Sequence, residues 1–239
     1  MLPGTLLTEY ADKFYGFGTW DAKIWFIGIE EAGGWQEQDV QRRLDAWKLN
    51  GKRDLEDAPK FYPASGNKRW HDDEACQQPT WKQLIRMLLV ARGKPDTDDA
   101  LLNYQRCDFG CAGGRECLAE LLPLPSPSST AWNYLKWSGL SWLHSRSLYQ
   151  NHVLLERAYS IQQKLERYRP RVVIFYASTW HRLWGVIARG VWTQAIQGKL
   201  MGLERDGTTF YVTRHPRAES DDYFHEIGLF LRRKHGNQI

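Results

Sequence analysis

The chain has 239 residues, of which 42% are hydrophobic and 25% charged. That is enough for one sizeable α/β domain with a core of its own, and it excludes a disordered or low-complexity chain. A formal net charge of +4 permits a polyanionic partner without requiring one, and 12 tryptophans exceed ordinary usage.

No segment approaches the roughly 18 apolar residues of a membrane span, and MLPGTLLTEYADKF lacks the basic and apolar regions of a signal peptide. The expectation is a cytoplasmic protein with no membrane partner, of a size and charge compatible with a monomer. A short helix is predicted over 5–15 with Thr5 as its N-cap. Residues 23–29 of KIWFIGIEEAGG form a first strand, almost continuously apolar, as strands buried on both faces are. Helical periodicity resumes over 36–48. Residues 49–79 are polar and broken by Gly51, Pro59, Pro63, Gly66 and Pro79, so they read as a long irregular loop. Thr80 is the expected cap of a strong helix over 81–93, and a shorter helix follows over 97–106.

A Gly- and Cys-rich turn at 107–114 leads into a second buried strand, CLAELLPL, over 117–124. Pro123, Pro125 and Pro127 then read as an extended loop. Trp132, Tyr134, Trp137 and Trp142 crowd one stretch; they suit either a core or a platform for bases. A helix over 152–168 precedes the strand RVVIFYA at 171–177 and a helix over 178–189. Residues 199–214 form a hairpin turning at Arg205-Asp206-Gly207, and its second arm ends in TFYVTRHPRA at 209–218. The closing helix spans 219–234, and the tail KHGNQI solvates its end. Alternating strands and helices with no internal repeat give one domain over 1–239: a three-layer α/β/α fold around a central, mainly parallel sheet.

Ligands of such sheets bind beyond the carboxyl ends of the strands. Glu30, Glu31 and His215 therefore belong at one rim, where a carboxylate and an imidazole can cleave a glycosidic or ester bond. The four cysteines, Cys76, Cys107, Cys111 and Cys117, include a crowded CDFGCAGGREC run. Its spacing lacks the paired C-x2-C of zinc ribbons, so the thiols read as free or, with all four gathered, as a cluster site. Patterns for zinc proteases, zinc deaminases, P-loops and nucleophile elbows are missing from the sequence.

The order of these strand ends, GIEEAGG, AELLPLP, YAS and finally RHPR, resembles the uracil-DNA glycosylase superfamily, whose motifs follow the first and the last strand. His215-Pro216 is the closer match, and the resemblance spans most of the chain. It implies a uracil-DNA-glycosylase-like fold and a DNA glycosylase that flips out a base and hydrolyses its N-glycosidic bond, with no diffusible cofactor and with DNA as partner. Gly28 then matches the family's first glycine, Glu30 the residue that activates water or stabilises charge, and His215 the histidine that steadies the leaving base. Glu120 takes the place of the base-reading Asn, with Glu31 and Trp35 as further base contacts. Thr80, Ser126, Ser128, Arg214 and Arg217 become candidate DNA contacts, Arg217 either as a wedge or on a phosphate. Where the family has Asn-Pro or Asp-Pro, this chain has Glu30-Glu31. An ionised Glu120 is acceptor-only, which points away from uracil to a modified, amino-bearing base such as a modified cytosine. Repair and defence against phage DNA are both settings for such an enzyme. The alternative is a non-catalytic nucleic-acid-binding module on the same fold.

Overall fold

The computed structural model describes residues 1–72 and 74–236, so the last three residues of the KHGNQI tail lie outside the described residues. In chain order the elements are α1 (Gly4–Lys13), β1 (Gly16–Gly18), β2 (Ile24–Ala32), α2 (Glu37–Leu49), β3 (Leu55–Glu56), α3 (Ala58–Ala64) and α4 (Pro79–Ala91). There follow α5 (Asp98–Cys107), β4 (Glu116–Ser126), α6 (Tyr134–Trp137), α7 (Arg146–Tyr168), β5 (Val172–Tyr176) and α8 (His181–Ala188). The chain closes with β6 (Thr193–Ile196), β7 (Leu200–Arg205), β8 (Thr208–Thr213) and α9 (Asp221–His235).

The strands form one eight-stranded sheet in the order β3-β1-β4-β2-β5-β8-β7-β6. The sheet is mixed rather than mainly parallel. Its middle, β4-β2-β5-β8, is parallel, whereas β1 runs antiparallel to β4, β7 to β8 and β6 to β7. The β7–β8 junction shows why. Asp206 (φ 51°) and Gly207 (φ 82°) make a two-residue turn of positive φ, and so short a connection can join only antiparallel neighbours.

β2 lies at the centre because the side chains of Ile24–Ile27 are wholly buried on both faces. Ile24 and Phe26 face a core built from α1, α2, α3, α4, α5 and α9; Trp25 and Ile27 face one built from α7 and α8. That gives three layers. No helix among the described residues is long and apolar enough to cross a membrane.

Several local expectations are corrected. Thr5 does not cap α1, which starts at Gly4 after Pro3 and has no side-chain cap. Thr80 does not cap α4: Gln78 does, its Oε1 accepting from the Trp81 amide at 2.6 Å, with Pro79 at the first helical position. The segment 49–79 is not one long loop, since it holds β3 and α3. The helix expected over 152–168 starts at Arg146, with Ser145 Oγ accepting from the Leu148 amide at 3.1 Å.

Pro123 and Pro125 lie inside β4 rather than in a loop. The amides of Glu120 and Leu124 point away from β2, to the Tyr15 carbonyl at 2.8 Å and the Tyr149 hydroxyl at 2.9 Å. By strand alternation both prolines turn their nitrogens towards β2. The ladder lacks two donors on that side, and its register shifts between Glu30 and Ala32.

Candidate active site

The carboxyl ends of the four parallel strands meet at one edge, around a cleft of about 810 Å³. It is lined by Glu30 and Glu31 from β2, Glu120 and Ser126 from β4, Tyr176 from β5, and His215 and Arg217 just beyond β8. Thr80, Ser128 and Arg214 also reach it, as do Arg146 and Trp180, which the sequence reading missed. Trp35 is the exception. It is 69% exposed and lines a neighbouring chamber of about 500 Å³.

Glu120 sits in a frame of three strands. Gly28 is its register partner on β2, and Tyr176 extends the pairing on β5. The Tyr176 hydroxyl donates to Glu120 Oε1 at 2.6 Å, while Glu120 Oε2 is buried without a protein partner. A Cβ on Gly28 would lie 2.3 Å from both Glu120 Oε2 and the Tyr176 hydroxyl. Glycine is required there for the close approach of the pair, not for its φ.

Burial pushes the Glu120 carboxyl up to about 8, against the Tyr176 hydrogen bond and with help from the nearby charges of Glu31 and Glu30. At neutral pH it is therefore mainly protonated. A protonated carboxyl offers a donor beside an acceptor, so the acceptor-only premise behind an amino-bearing base does not hold for the resting site. The fold retains a proton that the unfolded chain releases above pH 4.5, so this group favours folding in acid and loses that contribution as pH rises through about 8. Glu120→Gln is expected to melt several degrees above the wild type at about pH 9 and alike at about pH 4, by thermal denaturation at both. Equal melting at both pH values would remove the buried acid.

The adjacent carboxylates diverge, as neighbours on a strand do. The Glu30 side chain is 8% exposed and pairs with Arg146 at 2.5 Å (Nη2 to Oε2), leaving Oε1 buried without a protein partner. Burial pushes its carboxyl up to about 7, and Arg146 opposes that rise. Arg146 in turn donates to Ser126 Oγ at 3.1 Å and lies over the Trp132 ring. Glu31 turns instead to Arg43 and to the Tyr62 hydroxyl, which donates to Oε1 at 2.7 Å. Both of its oxygens are thus taken, and it ties β2 to α2 and α3 rather than presenting a free carboxylate to a base.

His215 Nδ1 accepts from the Arg217 amide at 3.2 Å, which leaves the proton of the neutral imidazole on Nε2. Burial and the Arg217 guanidinium both lower its pKa, so it is neutral at pH 7 and carries an N–H donor at the cleft.

The candidate DNA contacts differ in availability. Ser126 is buried and its hydroxyl already serves Ser128 O, Ala131 O and Arg146, so it organises the loop instead of reaching a phosphate. Ser128 is exposed, but its Oγ accepts from the Thr130 and Ala131 amides. Arg214 pairs with Glu219 at 2.6 Å. Thr80 sits in the first turn of α4 at the cleft wall, and Arg217 has no ion-pair partner among the described residues.

The crowded aromatics are core. Tyr134 is buried, Trp132 stacks on Tyr149 at 4.8 Å and Trp142 on His152 at 4.7 Å, and none of Trp132, Tyr134, Trp137 and Trp142 lines the cleft. The four thiols are not gathered into a site. Cys117 is buried in β4 while Cys76 and Cys107 are exposed, and among the described residues no group of three His, Cys, Asp or Glu is placed to hold a metal ion.

No model of a known protein family matches the chain, and no curated protein matches it. The resemblance to the uracil-DNA glycosylase superfamily rests on the order of strand ends and on His215-Pro216.

Proposed function

We propose that the protein is a DNA glycosylase that everts an aberrant or modified base into this cleft and hydrolyses its N-glycosidic bond. One observation carries the reading. An acid at the end of β2, a second acid on β4 and an imidazole after β8 line the same cleft, whose volume of about 810 Å³ suits a nucleotide.

The chemistry assigns a role to each group. Ionised Glu30 stabilises positive charge developing on the sugar, and its carboxylate takes a proton from the attacking water. Water oxygen bonds to C1′ as the C1′–N bond breaks, and the bonding pair leaves with the base. The Nε2–H of His215 and the protonated Glu120 donate to the base as it gains negative charge. A neutral Glu120 pairs with an edge that presents a donor beside an acceptor, which modified cytosines and uracil-like bases both do. Tyr176 holds it in place.

The test is direct. The protein is incubated with DNAs carrying different modified bases and uracil, and abasic sites are cleaved with alkali. Strand breaks at one class of base are expected; intact strands throughout would overturn the reading. The pH dependence is a second check. Activity is expected to rise as Glu30 ionises near pH 7 and to fall as Glu120 deprotonates near pH 8. The two limbs are macroscopic values of an interacting pair. A profile flat from pH 6 to 9 would separate these acids from the chemistry.

The Glu30–Arg146 ion pair favours a second reading, because a carboxylate neutralised in its resting state also suits a module that only binds nucleic acid. DNA binding with no abasic sites on any substrate would select it.

A further inference from the structure

The second chamber, of about 500 Å³, shares a wall with the first: Glu31, Ala32, Gln78, Thr80 and Arg217 line both. We propose that it takes the nucleotide next to the excised one, and hence that the substrate is single-stranded or locally unpaired DNA. The proposal rests on reading the first cleft as a DNA site.

Two aromatic platforms furnish the chamber. Trp35 is 69% exposed, and Trp70 is half-buried with the Arg69 guanidinium 4.6 Å from its ring centre. Exposed tryptophan beside arginine is the means by which single strands are held, since every base has a face that stacks. The charge is arranged to match. Arg42 is neutralised by Asp39 at 2.7 Å and Arg43 by Glu31. Arg69 and Arg217 have no ion-pair partner among the described residues, and Arg69 Nε reaches only Cys76 Sγ, at 3.2 Å. The chamber is therefore left with free positive charge at two points.

Arg217 lies on the shared wall together with Thr80 from the first turn of α4. A phosphodiester joining nucleotides in the two chambers has to cross that wall, where Arg217 meets its charge. The substrate class then follows from stacking. In a duplex the neighbour of an everted base stays paired and stacked in the helix. It can reach Trp35 and Trp70 only if its own pairing is broken as well. Trp35, placed outside the cleft that holds Glu120, is thus assigned to the adjacent base rather than to the excised one.

The experiment uses unmodified DNA and reads binding alone. The wild-type protein and Trp35→Ala are titrated with a fluorescent single strand of about 12 nucleotides and with its duplex, at fixed salt. Trp35 is exposed, so its removal leaves the core intact. The single strand is expected to bind about tenfold tighter than the duplex. Trp35→Ala should weaken single-strand binding by about tenfold, the worth of one stacked base, and weaken duplex binding far less. Equal affinity for both forms, or a Trp35→Ala variant that binds the single strand like the wild type, would overturn the chamber assignment and leave the glycosylase reading standing. No binding to either form would overturn both readings.

Discussion

Replacing Glu30 by Gln is expected to lower single-turnover base release by roughly 10²- to 10⁴-fold, the usual range for a lost general base, while DNA affinity holds or rises. The side chain keeps its shape and can still accept from Arg146, so neither the cleft nor the β2 end has reason to move. What disappears is the negative charge under the sugar and the oxygen that takes the proton. Arg146 also loses its counter-charge, which leaves it freer to attract phosphate. Rapid-quench measurement of base release together with fluorescence anisotropy separates the two effects. Turnover equal to the wild type would remove Glu30 from the chemistry. Arg146→Ala completes the case. Arg146 is what holds the Glu30 carboxyl from rising further, so its loss should move the acidic limb of the pH profile upward.

Gly28→Ala is expected to be nearly as damaging, by a different route. One added methyl would stand 2.3 Å from Glu120 Oε2 and 2.4 Å from the Tyr176 ring, closer than atoms can approach. Neither neighbour can swing freely. Glu120 is anchored on β4 between β1 and β2, and Tyr176 is buried at the end of β5. The Tyr176–Glu120 hydrogen bond should break, and crowding of this kind costs about 1–3 kcal/mol of stability. Base release should collapse, and the melting temperature should fall by several degrees. A variant that kept both would show that the pair is not held by this close approach.

Much of the rim was legible in the sequence because strand ends are. Runs of β-branched and aromatic residues that stop at Gly, Pro or charge marked β2, β5 and β8, and they delivered Glu30 and His215 to one edge. Glu120 followed from the resemblance alone, as the residue in the place of a base-reading Asn. The partners were not legible. Arg146 reaches Glu30 from a helix start 116 positions away, and Tyr176 reaches Glu120 across 56. Neither contact leaves a local periodicity to find. The engagement of Glu31 was hidden for the same reason: its partners, Arg43 and Tyr62, come from α2 and α3. The sheet was taken as mainly parallel because, beyond the 199–214 hairpin, its antiparallel strands β1 and β6 are short. β1 is three residues with glycine at both ends, where the close Leu118 and Glu116 carbonyls leave no room for a Cβ. The prolines of β4 misled because proline usually ends a strand, yet these two stand where the ladder already loosens.

That pair of prolines has a consequence for how the protein responds to its surroundings. Past Leu122 the ladder between the two strands is interrupted before it resumes at Ala32 and Ser126, and the end of β2 that bears Glu30 and Glu31 leans on guanidinium–carboxylate contacts. Ionic strength and acidity can therefore soften the mouth of the molecule while the platform beneath stays rigid. Tightness at the entrance and solidity of the scaffold become separately adjustable properties.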